Sequence, residues 1–276
     1  MNSRYVWKNR YKKFLDNPRA IIPFFKKRLY YNFIADKQLQ YYKDFHYLDY
    51  AQTLDEIITN NKSIVRFGDE VFDMLQGIGL YYGNWRQQYD LSLAQKLQEV
   101  LASREPNLLV CFNPELILKD KNWFKNEGIP EQYHFWTNSK MFLKDYYHKD
   151  IMYGSALCFT PRYNTKIDYD KLKKYFLKKN IVIITSKIGR FENIRLGKTT
   201  SFIEAPESDA WQEYENIKKA LLTMVEMFKK SDTLIMVSMG PAAKILVFEM
   251  TKLGYTAWDT GQFFDLAFKE IIKIDA

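Results

Sequence analysis

The chain is poor in the residues that build the simplest sites. Of its 276 residues only two are cysteine, Cys111 and Cys158, and three are histidine, His46, His134 and His148. Each cysteine sits in an apolar run, which suits buried thiols in a reducing compartment better than a disulfide scaffold. The histidines are scattered, so no Cys/His metal site can be assembled at usable spacing. No apolar run approaches the ~18 residues needed to span a bilayer. The charged N-terminus carries no signal-peptide pattern, so the expected location is cytoplasmic. A Walker A loop is missing. So is a Gly-x-Gly-x-x-Gly after a first strand, which weighs against dinucleotide enzymes. Internal repeats and low-complexity segments are absent as well.

What is present is apolar and aromatic. Hydrophobic residues make up 47% of the chain and aromatics 17%, enough for the core of one large or two small globular domains. Charge is unevenly placed. Residues 1–31 hold nine basic residues (Arg4, Lys8, Arg10, Lys12, Lys13, Arg19, Lys26, Lys27, Arg28) and one acid, Asp16, so this segment accounts for the whole net charge of +8. Tyr5, Trp7, Tyr11, Phe14, Phe24, Phe25, Tyr30 and Tyr31 lie between the charges. That mixture suits an anionic membrane surface, at roughly 1 kcal/mol per basic residue. A basic arm packing its aromatics on the body is the plainer reading, and nucleic acid is the least expected partner. Residues 1–35 are read as this basic-aromatic arm and 36–276 as one α/β domain.

Hydrophobic periodicity predicts a helix over 36–60, a strand over 63–67, a short helix over 71–76 and a helix over 90–103 capped by Asp90. A strand over 108–112 follows, turned out by Asn113-Pro114, then an aromatic helical stretch over 114–150 and a strand over 156–159. The second half alternates cleanly: helix 168–179, strand 181–185, one or two short strands within 191–205, helix 209–230, strand 233–237, helix 242–253, strand 255–258 and a last helix from about Phe263. Fully apolar strands alternating with helices predict a mostly parallel sheet flanked by helices.

In such a sheet ligands bind beyond the carboxyl ends of the strands. Four of these ends carry glycine and polar residues: Arg66-Phe-Gly-Asp-Glu70, Ser186-Lys-Ile-Gly-Arg190, Ser238-Met-Gly-Pro-Ala-Ala-Lys244 and Asp259-Thr-Gly-Gln262. The third suits a phosphate best, because Gly240 and Pro241 open a helix whose first amides need an acceptor. A plain strand-to-helix turn is the alternative. Asp69 and Glu70 offer hard oxygen ligands to Mg²⁺ or Mn²⁺, or they simply cap a helix N-terminus. Arg66 can pair with phosphate or neutralise an acid. Asp259 and Asp265 are candidates to accept a proton from a hydroxyl, or else are caps.

Several of these segments, in order, resemble the GT-D glycosyltransferase family of bacterial glycoprotein and surface-polysaccharide assembly. They are Ser63–Asp73, Thr185–Arg190, Phe202-Ile-Glu-Ala-Pro206, Met239-Gly-Pro-Ala-Ala-Lys244 and Leu253–Gly261, and together they cover about residues 50–270. The resemblance implies a Rossmann-like domain that takes a nucleotide-sugar, usually a UDP-sugar, with Mn²⁺ or Mg²⁺, and passes the sugar to a hydroxyl of a growing glycan. It implies a hexosyltransferase-type, metal-dependent enzyme, and the basic-aromatic arm would place it at the inner face of the cell membrane beside a lipid-linked glycan. The metal ligands would be Asp69 and Glu70. Arg66, Gly68, Ser186, Lys187, Arg190, Ser238, Gly240, Pro241, Lys244, Gly261 and Gln262 would hold the nucleotide and its phosphates, while Asp259, Asp265 and Arg66 would serve the chemistry.

The chain departs from the family at two points. The family's metal motif is Asp-x-Glu, and here Val71 stands in the glutamate's place with Glu70 one position early. Gln262 stands where the family often has histidine. Either Glu70 takes over the missing ligand, or Asp69 works with water and the diphosphate. A non-catalytic, sugar-nucleotide-binding partner subunit is the alternative, and a nucleic-acid-binding protein a further one. An assembly of like or unlike subunits is compatible with either.

Overall fold

The computed structural model describes residues 21–82, 85–186 and 194–265. Its centre is a seven-stranded sheet in the order β5-β4-β1-β9-β8-β6-β7, and every pairing in it is parallel. The strands are β1 (Ser63–Arg66), β4 (Leu108–Phe112), β5 (Gly154–Ser155), β6 (Asn180–Thr185), β7 (Thr199–Glu204), β8 (Thr233–Ser238) and β9 (Thr256–Asp259). A separate antiparallel hairpin joins β2 (Leu80–Tyr82) to β3 (Trp85–Gln87).

The apolar strands are covered on both faces. Along β6 and β8, Val182, Ile184, Ile235 and Val237 enter one core, while Ile181, Ile183, Leu234 and Met236 enter the other. This is the period-two alternation of a strand buried on both sides. One face carries α4 (Leu91–Leu101), α7 (Gln132–Tyr146), α9 (Tyr214–Val225) and α10 (Pro241–Lys252), with the short α5 (Pro114–Ile117) and α6 (Lys121–Asn126) preceding α7 in the chain. The other carries α2 (Tyr50–Thr59) and α8 (Tyr169–Phe176). Local chemistry starts these helices where the sequence indicates. Asp90 accepts from the Leu93 amide at 3.0 Å and Asp168 from the Lys171 amide at 2.8 Å, satisfying orphan donors of the first turn.

The two halves of the sheet meet at β1 and β9. There Ile64 pairs with Trp258, and Ser63 Oγ accepts from the Ala257 amide at 3.0 Å. The C-terminal ends of β1, β8 and β9 therefore open onto the same edge.

Several expected elements differ. The helix over 36–60 is a 3₁₀ stretch, Ala35–Tyr42, followed by a separate α2, because Asp49 and Gln52 form a capping box that starts a new helix. The expected strand at 156–159 is instead β5, two residues earlier: Gly154 lies so close to β4 that a Cβ there would sit 2.4 Å from Cys111 Sγ. The chain then turns, with Cys158 donating to the Ser155 carbonyl at 3.3 Å. The helix over 209–230 opens with a 3₁₀ turn, Ala210–Glu213, and its α-helical part ends at Val225. A 3₁₀ turn, Phe263–Asp265, begins where the last helix is expected, and residues 266–276 lie outside the described ones. In the expected arm, α1 (Ile21–Phe33) carries Tyr30 into the core, and Tyr31 packs on Tyr133 with ring centroids 5.1 Å apart. Residues 1–20 are outside the described ones.

Candidate functional site

Asp259, the last residue of β9, is 3% exposed and organises the sheet edge. Its Oδ2 accepts from the Arg66 amide at 3.1 Å and lies 3.1 Å from Lys244 Nζ. Its carbonyl accepts from Arg66 Nε at 2.7 Å. The Arg66 guanidinium, 5.4 Å above the Phe159 ring, also donates from Nη1 to the Ala156 carbonyl at 3.0 Å. Arg66 is thus a half-buried strut between β1, β9 and the chain after β5, and Lys244 reaches inward to the same carboxylate. Two cations face one anion in a cluster whose side chains are 14%, 5% and 4% exposed. The surplus positive charge sits where phosphate is expected to bind, and the low-dielectric surroundings strengthen its field.

Two glycines shape the loops over this cluster. Gly261 has φ +49°, and a Cβ there would fall 1.9 Å from Arg66 Nη2. Gly240 has φ +62° and lies under Trp85, where a Cβ would be 2.7 Å from Cζ2. Trp85 is held there because Asp209 pins its hairpin. Arg86 Nε donates to Asp209 Oδ2 at 2.8 Å and the Gln88 amide to Oδ1 at 2.7 Å. Ser238 Oγ donates to the Gly261 carbonyl at 2.6 Å, tying the β8 and β9 loops together. Pro241 is the first residue of α10.

The structure brings Arg66, Ser238, Gly240, Lys244, Asp259 and Gly261 into one neighbourhood. Gly68 is the N-cap of α3 (Asp69–Leu75), so Asp69 and Glu70 are that helix's first two residues, directly beyond β1. Val71 is fully buried. Ser186 is half-buried at the end of β6, and Gln262 is exposed. Asp265 ends the 3₁₀ turn after β9. Lys187 and Arg190 lie outside the described residues.

Among the described residues no three His, Cys, Asp or Glu side chains cluster as a metal site. The helix α3 opens with Asp69 and Glu70 in sequence, and carboxylate is the hard-oxygen ligand type that Mg²⁺ or Mn²⁺ takes alongside phosphate and water.

Sequence reasoning missed the lip beyond β4. Glu115 follows the Asn113-Pro114 turn, and burial raises its carboxyl to about 7, opposed by its own backbone amide and the Ser155 hydroxyl. Its position just past an apolar strand was the available signal. Cys111 and Cys158, close to Arg66, are fully buried. Burial pushes both thiols up, Cys158 to about 12, so neither is a nucleophile.

The family model for the glycosyltransferase GT-D fold matches residues 64–268. A "Probable glycosyl transferase Gly" of Streptococcus gordonii is 28% identical over 228 residues, which is 78% of this chain and 31% of the relative. "Glycosyltransferase GlyD" of Streptococcus pneumoniae serotype 4 is 27% identical over 233 residues, 76% of this chain and 26% of the relative. The chain therefore spans about a third or less of the curated relatives it matches. A solved domain described as having a distinct glycosyltransferase fold superposes with TM-score 0.68 at 24% identity, covering 88% of this chain and 86% of that one. A further structure, described as a new glycosyltransferase from Streptococcus sanguinis, gives TM-score 0.63 at 24% identity over 84% and 85% of the two chains.

Proposed function

Because the chain belongs to the glycosyltransferase GT-D fold family, we propose that it transfers a sugar from a nucleotide-sugar, of the UDP class, to a hydroxyl of a growing surface glycan. The observation that carries this reading is the convergence of β1, β8 and β9 on the Arg66–Asp259–Lys244 cluster. Its surplus positive charge suits a departing diphosphate, whose negative charge grows in the transition state. Gly240 and Gly261 let backbone approach that group closely. Half-buried Trp85 offers an aromatic wall beside Gly240. Asp69 and Glu70 would hold the divalent ion, which when bound supplies charge neutralisation to the phosphates.

In this reading Arg66 and Lys244 act through Asp259. Their bonds to it hold the two loops in register, and their excess charge is felt by the phosphates. Asp259 is consequently an organising carboxylate, committed to an amide and an ammonium. The basic-aromatic arm docks the protein on anionic lipid, where a lipid-linked glycan would be met.

Calorimetric titration with UDP, in Mn²⁺ and in EDTA, tests the donor site. Micromolar to millimolar binding strengthened by Mn²⁺ is expected, and Asp69→Ala should remove the strengthening. No binding in either condition overturns the reading. Binding without turnover of UDP-sugars, even with acceptor present, favours the non-catalytic partner subunit instead.

A further inference from the structure

The β2–β3 hairpin stands apart from the main sheet, and two strands of three residues are marginal on their own. Chain more than 120 residues away holds it in place. Asp209 Oδ2 accepts from Arg86 Nε at 2.8 Å, and its Oδ1 accepts from the Gln88 amide at 2.7 Å. The Asp209 amide donates to the Arg86 carbonyl at 2.9 Å. On either side, Ser208 Oγ accepts from the Arg86 amide at 3.1 Å, and Gln87 Oε1 from the Trp211 amide at 3.3 Å. Asp209 itself is 8% exposed and has φ +54°. A residue other than glycine keeps that left-handed backbone only where its surroundings fix it.

What this anchor places is the residue just before it. Trp85 lies on Gly240, where a Cβ would meet Cζ2 at 2.7 Å, Cη2 at 3.5 Å and Cε2 at 3.7 Å. All three atoms belong to the six-membered ring of the indole, so that ring covers the turn between β8 and α10. Gly240 caps α10 with no side-chain hydrogen bond, at φ +62° and ψ −142°. Glycine reaches many backbone conformations besides this one, and contact from outside narrows the choice. Two residues earlier, Ser238 ties the same turn to Gly261, which packs on Arg66. A line of contacts thus runs from Asp209 through the hairpin and Trp85 to the turn, and on to the Arg66–Asp259–Lys244 cluster. Trp85, Ser238 and Gly240 are each half-buried, so the turn keeps a side open to solvent.

We propose that Asp209 and Trp85 are positioning residues of the donor site: Asp209 fixes the hairpin, and Trp85 holds the Gly240 turn in the conformation that receives the diphosphate. The role rests on the nucleotide-sugar reading above. Neither residue acts on the reacting atoms. Their effect is preorganisation: a turn already set does not have to be ordered when the ligand arrives, and affinity rises accordingly. Loosening the hairpin leaves the charge of the cluster in place and weakens the hold on the diphosphate.

The test is calorimetric titration of the full chain, Trp85→Ala, Trp85→Phe and Asp209→Asn with UDP plus Mn²⁺, with tryptophan emission recorded before and after saturation. Asn tolerates a left-handed backbone, so Asp209→Asn removes the ion pair with Arg86 without straining the chain. Trp85→Ala should weaken UDP binding about fivefold or more and Asp209→Asn about threefold or more, in proteins shown to be folded by circular dichroism. Trp85→Phe keeps an aromatic ring on the turn and should still bind. UDP should change the emission of wild type, and that of Trp85→Phe much less, because the indole on the turn is gone. Wild-type affinity in either folded variant overturns the role of that residue. An emission change undiminished in Trp85→Phe overturns the placement of Trp85 at the donor site, and this arm decides alone if Trp85→Ala does not fold. A wild type that binds no UDP overturns the donor reading, and the positioning role falls with it.

Discussion

Asp259 is the residue on which the site's geometry depends. Replacing it by Asn leaves half-buried Arg66 and buried Lys244 together without their carboxylate. Removing one partner of a buried ion pair typically costs about 3–5 kcal/mol, and urea denaturation of Asp259→Asn should show a loss of that order. Lys244→Met should cost less, since Asp259 keeps its bonds to Arg66. A larger loss for Lys244→Met than for Asp259→Asn would reverse this ranking. Gly261→Ala tests the loop itself. Its left-handed φ and the Arg66 guanidinium in the path of a Cβ should together cost about 1–3 kcal/mol, read as a fall in Tm. An unchanged Tm would mean that the loop has another packing open to it.

At the scale of elements, α1 stands out by the face it leaves exposed. Ile22, Leu29 and Phe33 are 77%, 61% and 67% exposed and follow one stripe of the helix, with exposed Lys26 and Arg28 nearby. Apolar residues beside basic ones are the pattern of an interfacial helix. Ile22→Ser combined with Leu29→Ser should cut co-sedimentation with anionic liposomes severalfold while sparing UDP binding; undiminished co-sedimentation would remove α1 from the membrane reading. The elements most legible in the sequence were those with one dominant signal. Strands β6 and β8 are unbroken apolar runs, and Asp90 and Asp168 are caps that act through their own backbone neighbours. Elements set by distant contacts were not legible. The position of β5 depends on Gly154 meeting Cys111, and the three-residue strands of the hairpin are held by Asp209, more than 120 residues away. The site divided in the same way. Glycines and charges at strand ends marked its location, but the inward turn of Arg66 and Lys244 toward Asp259 became visible only once the strands were side by side.

For the whole molecule, Glu115 links stability to pH. Its folded carboxyl lies near 7 and its unfolded value near 4.5, so the folded state binds more protons between those values. Stability from this group is complete below about 4.5 and is lost as pH rises to about 7. Glu115→Gln should therefore flatten the denaturation midpoint across that window and be no less stable than wild type at pH 8. A midpoint for wild type and variant that moves in parallel with pH would assign the dependence to other groups.

The meeting of β1 and β9 also has a consequence for assembly. Arg66 and Asp259 are 193 residues apart in the chain, as are the two strands that carry them. Contacts of such separation close large loops, which slows folding relative to local contacts. A chain emerging from the ribosome can pair β1 with β4 well before β9 exists, and β6 with β8 only shortly before it, since β8 ends at Ser238 and β9 begins at Thr256. The two half-sheets then wait as separate folding units, and Arg66 stays without its carboxylate until one late strand slots between them. Closure of the Arg66–Asp259–Lys244 cluster is thus acquired in a final zippering event, and an interrupted polypeptide that retains most of its helices and strands would still lack it.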